Sequence, residues 1–278
     1  RQLGQSFLID GNLLGKLLEL AELSGGETVL EVGAGSGSLT EELLDRAAQV
    51  VAVEIDRGLC ELLRRRLGGR ENLRLICGDV LAGKAALCPG VLGALRPGSH
   101  LVANLPYRIA APLLADCLME SWRSQRGRSG ARCSFERLTF TVQKELAERL
   151  SASCGGEAYG PVSVLTALLG RIRLGPAVPA SAFWPRPKVV SRIVRVDFDP
   201  AGAGALADAD VLRAALSLAF GQRRKQVRSI LRRKAAPFAP EALAWALAAA
   251  GIDPARRAEQ IHPGQYLAFA NALARGVE

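Results

Sequence analysis

Thr28-Val29-Leu30-Glu31-Val32 is an apolar run too short for a helix. It leads straight into Gly33-Ala34-Gly35-Ser36-Gly37, and helical spacing begins with Thr40 to Leu44. Strand, glycine loop, helix is the opening βα unit of a doubly wound sheet, a fold that binds ligands at the carboxyl ends of its strands. The glycine spacing narrows the choice. A dinucleotide fingerprint puts its third glycine where Ser38 stands, and here the glycine comes one residue earlier. No Gly-Lys-Ser/Thr follows to cradle a phosphate. An incidental glycine turn is the plainer alternative.

Gly-x-Gly-x-Gly resembles instead the loop that admits S-adenosylmethionine. That ligand carries no phosphate and needs only close approach of a nucleoside and an amino acid to the backbone. Two more runs extend the pattern. Val50 to Asp56 reads as a second strand, with Glu54 about twenty residues beyond Gly33, where an acid accepts from ribose hydroxyls. Asp56 is the competing acid. Leu73 to Val80 reads as a third strand, with Asp79 at its end to accept from an adenine amine and Val80 beside the ring. An ordinary turn aspartate also fits Asp79.

Leu101-Val102-Ala103 is a fourth apolar run, ended by Asn104-Leu105-Pro106-Tyr107. This tetrapeptide resembles the Asn/Asp-Pro-Pro-Tyr motif of methyltransferases that act on exocyclic amines. Such an amine is a poor nucleophile, because its lone pair is delocalised into the ring. The Asn104 amide oxygen and the Leu105 carbonyl are candidate acceptors to aim it. Pro106 fixes the turn, and Tyr107 stacks on an extruded base. Phe183, in Phe183-Trp184-Pro185-Arg186-Pro187-Lys188-Val189, is the candidate for the second face of that base. A strand followed by an Asn-x-Pro turn is the bland reading.

The 278-residue chain carries a net charge of +9, which favours a polyanion partner but equally serves solubility. Its six cysteines include no Cys-x-x-Cys pair and it has two histidines, so no metal is expected. Scattered cysteines suit a reducing compartment, and a cytoplasmic location is expected. No apolar run is long enough to span a membrane. The chain opens on Arg1 rather than Met, which leaves room for a removed leader.

Elsewhere, Gly4 to Asp10 reads as an arm capping a helix, or as an arm folded over a cofactor through backbone at Ser6 and Leu8. Arg64-Arg65-Arg66 reads as a solvated helix face. Ala110 to Leu118 reads as a helix, and Ser121 to Ser134 as a mobile surface insertion. Ala201 to Gly204 marks a linker, dividing a domain over 1–200 from a helical one over 201–278. In the second, Arg224, Arg228 and Arg232 form one helical stripe and Val227, Ile230 and Leu231 the buried one. The stripe is either a solvated face or a phosphate contact.

Together these stretches resemble, nearly end to end, the ribosomal RNA adenine dimethyltransferases of the small-subunit type. The match adds Leu3 to Leu8, Gln143-Lys144-Glu145, Tyr159-Gly160 and Phe220 to Lys225. The resemblance implies an α/β, Rossmann-like class I S-adenosylmethionine-dependent methyltransferase sheet with a small all-helical domain. It implies a monomer that transfers two methyls to each of two adjacent adenosines near the 3′ end of small-subunit RNA, in ribosome biogenesis. Ser6, Leu8, Gly33, Gly35, Glu54, Asp79 and Asn104 would line the cofactor site. Arg223, Arg224, Lys225 and Arg228 would meet RNA. The departures are Ser6 for the usual Asn or His, Ala34 for Pro, and Val190 for Asp. Two alternatives are a large-subunit methyltransferase of the antibiotic-resistance type and a noncatalytic assembly or transcription factor on the same fold.

Overall fold

The computed structural model describes residues 6–83, 86–128, 133–222, 224–232 and 237–275. Seven strands make the main sheet: β1 (Thr28–Val32), β2 (Gln49–Glu54), β3 (Leu73–Cys77), β4 (Ser99–Asn104), β5 (Phe135–Gln143), β6 (Gly170–Val178) and β7 (Ser191–Phe198). Their order across the sheet is β3-β2-β1-β4-β5-β7-β6. The first five are parallel, and β7 runs antiparallel to β5. From β1 the chain steps outward first to one side and then, with β4, to the other. The switch point between β1 and β4 is where such sheets open a crevice.

Every residue of β1 is buried, as is all of β2 after Gln49. That explains why both read as unbroken apolar runs: a parallel strand is covered on both faces. Helix α1 (Gly11–Ala21) starts because the Asp10 carboxylate accepts from the Asn12 and Leu13 amides. It buries Leu13, Leu17, Leu18 and Ala21 in one stripe. It ends at Glu22, whose φ of 46° is unusual for a residue with a side chain. Three arginines hold that residue. Arg195 lies 2.7 Å, Arg137 3.3 Å and Arg173 3.4 Å from its carboxylate.

The chain folds into two compact units, Arg1–Ala147 with Ile172–Phe198, and Glu148–Arg171 with Asp199–Glu278. The second is helical and has its own aromatic centre. The Phe220 ring lies 6.1 Å from that of Tyr159 and 5.7 Å from that of Tyr266. Both tyrosines are fully buried and donate to backbone carbonyls, Tyr159 to Ile261 and Tyr266 to Ala258. The alanine-rich tail forms helices Pro240–Ala249 and Pro263–Arg275, as its pattern indicates.

Three local expectations need correction. Ser121 does not begin a surface insertion, because the helix Ala110–Gln125 continues through it. Ser121 and Trp122 are buried, and the Ser121 hydroxyl donates to the Cys117 and Phe135 carbonyls. Residues 129–132 of that stretch lie outside the described residues. Ala201 to Gly204 is helix rather than linker, within Pro200–Ala205, because Asp199 caps it and Pro200 fits its first turn. The basic stretch around Arg228 is a 3-10 turn, Val227–Arg232, not an α-helix. The Val227 and Arg228 amides donate to the carbonyls of Arg256 and Pro254, so they are unavailable to an α ladder. Val227 and Ile230 are buried as expected, but Leu231 is only half-buried.

Candidate active site

The carboxyl ends of β1 to β4 surround one cavity of about 220 Å³. Gly33 and Gly35 bring the loop after β1 to its wall. Both have positive φ, 77° and 59°. A Cβ on Gly33 would lie 3.3 Å from the Pro106 ring, and one on Gly35 2.8 Å from the Phe7 ring. Glycine is therefore required twice over, by conformation and by close approach. Arg66 fastens the loop from outside. Its guanidinium donates to the Ser36 carbonyl and pairs with Glu41 at 2.6 Å. The arginine run is thus more than a solvated face.

Glu54, at the end of β2, is 3% exposed and lines the cavity. Its carboxylate accepts from the Gly35 amide at 2.8 Å and from the Asp56 amide at 2.9 Å. Each oxygen keeps a second acceptor site. Asp56 itself caps the helix Arg57–Leu67 through the Leu59 amide, which resolves the competition between the two acids. Asp79 is exposed at the cavity wall beside buried Val80, and its carboxylate also accepts from the Leu81 amide at 3.0 Å. Ile55, which the sequence pattern did not single out, lines the same wall and is 50% exposed. It offers an apolar surface suited to a flat ring.

Asn104 ends β4 with its amide held at both atoms. The nitrogen donates to the Ser6 carbonyl at 2.9 Å, and the oxygen accepts from the Thr141 hydroxyl. Thr141 sits opposite Asn104 in the β4–β5 ladder. The amide oxygen therefore faces a fixed direction with one acceptor site left. Leu105, Pro106 and Tyr107 continue the wall, and the Tyr107 hydroxyl meets the Ser191 hydroxyl at 2.9 Å. Ser6 lines the cavity. Leu8 does not, because its side chain packs on the hydrophobic cluster behind.

Phe183 does not face the cavity either. The short ribbon that pairs Phe7–Leu8 with Phe183–Trp184 sets Leu8 opposite Phe183 and Phe7 opposite Trp184. Directly opposed residues of an antiparallel pair project to the same face. Leu8 and Phe183 go to the core, where Phe183 is 2% exposed. Phe7 goes to the cavity, and Trp184, 66% exposed, shares its side. The aromatic ring presented to solvent on that side is Trp184.

Beneath the loop, Glu31 is 1% exposed, and one of its carboxylate oxygens has no hydrogen-bond partner among the described residues. Burial pushes its carboxyl up to about 8, with Thr40 opposing and the Glu54 charge adding. In the second unit, Arg224, Lys225 and Arg228 are exposed. Arg223 lies outside the described residues. Among the described residues no helix is long and apolar enough to cross a membrane.

A family model for ribosomal RNA adenine dimethylase matches residues 1–275. The chain is 40% identical over 275 residues to ribosomal RNA small subunit methyltransferase A of Phenylobacterium zucineum, spanning 98% of this chain and 87% of that protein. It is 35% identical to the protein of the same name from Moorella thermoacetica, over 97% of this chain and 91% of that one. Two solved structures resemble it in fold. A dimethyladenosine transferase from Plasmodium falciparum superposes with a TM-score of 0.70 at 23% identity, covering 95% of each chain. The 23S rRNA methyltransferase ErmE superposes with a TM-score of 0.61 at 26% identity, covering 96% of this chain and 99% of that one.

Proposed function

The chain belongs to the ribosomal RNA adenine dimethylase family, and from that premise we propose how its cavity serves the reaction. The protein is an S-adenosylmethionine-dependent rRNA adenine dimethyltransferase. Its substrate is the N6 amine of two adjacent adenosines near the 3′ end of small-subunit RNA. The observation that carries this reading is the convergence of Glu54, Asp79 and Asn104, at or just beyond the carboxyl ends of three different strands, on one cavity lined by a glycine loop.

The residues present suit the cofactor. Gly33 and Gly35 present bare backbone at the cavity wall, the Glu54 carboxylate keeps acceptor capacity for two hydroxyls, and Asp79 can accept from an amine beside Ile55 and Val80. When bound, S-adenosylmethionine supplies an electrophilic methyl on a sulfonium. The chain's own task is to position the amine. Asn104 and the Leu105 carbonyl accept its hydrogens, which aims the lone pair out of the adenine plane. The Thr141 hydroxyl keeps the Asn104 oxygen facing that way. Tyr107 supplies one stacking face, and Trp184, exposed on the same side of the ribbon as Phe7, takes the place of Phe183 as the second ring. The alkylated nitrogen is acidic enough to shed its proton to water, so the positioning groups need not act as strong bases. Arg224, Lys225 and Arg228 contact RNA phosphates.

The small-subunit reading is favoured over the large-subunit one by relatives that carry the small-subunit name along nearly the whole chain. Transfer of labelled methyl into purified subunits tests it. Label in two adjacent adenosines of small-subunit RNA is expected. Label in large-subunit RNA would turn the assignment to the other class, and no label in either would leave a noncatalytic binder.

A further inference from the structure

Cys60 and Cys77 form a disulfide, with Cα atoms 6.0 Å apart and a sequence separation of 17. Nothing in the methylation chemistry uses it, yet both ends adjoin the cavity wall. Cys77 is the last residue of β3, immediately before Gly78 and Asp79, which line the cavity. Cys60 lies in the first turns of the helix that follows Glu54, and its sulfur is 3.3 Å from the Glu54 carbonyl. Among the described residues β3 is an edge strand, paired with β2 alone. The cross-link therefore fastens the end of an edge strand to the segment that carries the other cofactor acid.

The two sulfurs differ in access. Cys60 is fully buried, whereas Cys77 is exposed, and the Arg64 guanidinium lies 3.1 Å from its sulfur. Positive charge beside an exposed sulfur is the setting in which cysteines exchange. We propose that Cys77 and Cys60 are a thiol–disulfide exchange site whose oxidation state sets cofactor affinity, an inference that rests on the cofactor reading above. The Cys77 thiolate attacks a small-molecule disulfide of the glutathione class. A mixed disulfide forms and one thiolate leaves. The Cys60 sulfur attacks the Cys77 sulfur and expels the second thiolate, which takes up the Cys60 proton. Two protein thiols are oxidised, one external disulfide is reduced to two thiols, and the two protons end on those thiols. In the reduced state Cys60 can donate to the Glu54 carbonyl, which also accepts from the Gly78 amide, so the fold persists. The end of β3 is then held by hydrogen bonds without a covalent tie, and Asp79 is placed less firmly.

The test uses the full chain equilibrated with dithiothreitol or with oxidised glutathione, S-adenosylhomocysteine as the calorimetric probe, and peptide mapping of the 60–77 link. The disulfide form should bind about fivefold or more tightly than the dithiol form. By linkage, saturating probe should shift the thiol–disulfide equilibrium toward the disulfide by the same factor. Cys77→Ser, at an exposed position, should bind like the reduced protein and ignore the oxidant. Equal affinities with the link verified, or no link after oxidation, would overturn the proposal. Absence of probe binding in both states, with the link formed, would instead overturn the cofactor reading on which it rests.

Discussion

At the carboxyl ends of the parallel strands, Glu54 and Asn104 are oriented by backbone amides and by Thr141 and still face an open cavity. At the amino ends, polar groups close on one another. Arg137, level with His100 near the start of β4, is 2.9 Å from Asp197. Arg195, whose side chain is 5% exposed, pairs with Asp197 at 2.9 Å and Glu22 at 2.7 Å and donates to the Leu20 carbonyl. Both ends place charge where water is scarce. At one end acceptor capacity is left over, and at the other it is used up within the fold. Residual capacity on a fixed group serves a ligand, whereas mutual pairing serves the helix end at Glu22 and its packing. Substitutions at the two ends should therefore fail in different assays.

The largest separation is expected at Asn104. Asn104→Ala should slow single-turnover methylation of assembled subunits by about 100-fold or more, because the amine loses its aim. Unfolding free energy should fall by no more than about 1–3 kcal/mol, the cost of leaving the buried Thr141 hydroxyl without its acceptor, too little to unfold the chain. At the opposite end, Arg195→Ala should lower stability by roughly 2 kcal/mol, the scale of hydrogen bonds to charged groups. Its two carboxylate partners are themselves partly exposed and rehydrate, which limits the loss. Denaturant unfolding measures it, and the affinity of the folded protein for cofactor should be unchanged. If Arg195→Ala weakened the cofactor as much as it weakened the fold, the two ends would not be separate.

Glu31 sharpens the comparison, since it lies at the cavity end but is buried. Its folded value of about 8 exceeds the ordinary 4.5. Between these values the unfolded chain ionises first, so stability falls as pH rises from about 4.5 to about 8 and levels off above. The slope for one such group is at most about 1.4 kcal/mol per pH unit. Glu31→Gln should flatten this dependence in thermal melts taken across that range. The smallest effect is expected from Tyr107→Phe. The ring remains for stacking and only the bond to Ser191 is lost, so methylation should slow by about fivefold or less, on the scale of one neutral hydrogen bond.

What the sequence revealed follows from the range of each interaction. The glycine loop, Glu54, Asp79 and Asn104 were readable because each is tied to the end of an apolar run a few residues long. The partners that orient them were not. Thr141 reaches Asn104 across a strand ladder, and Arg66 reaches Ser36 from the helix Arg57–Leu67, thirty residues on. Phe183 faces the core and Trp184 the solvent through the register of a two-residue ribbon, which no periodicity can specify. The helix over Pro200–Ala205 was hidden by its glycines, and the turn at Val227–Arg232 by a helical spacing that backbone bonds to Pro254 and Arg256 override. The Cys60–Cys77 pairing joins a helix to a strand end at a spacing without any motif.

The most direct test of the cavity's role is a calorimetric titration of S-adenosylhomocysteine into the wild type and Glu54→Ala. One site is expected in the wild type. Loss of a carboxylate that accepts charge-assisted bonds should weaken it by about tenfold or more. The unfolding transition should stay within about 1 kcal/mol, since Gly35 lines the cavity and Asp56 is only half-buried, so both freed amides can turn to water. Equal affinity in the two proteins, or no binding in the wild type, would contradict the account.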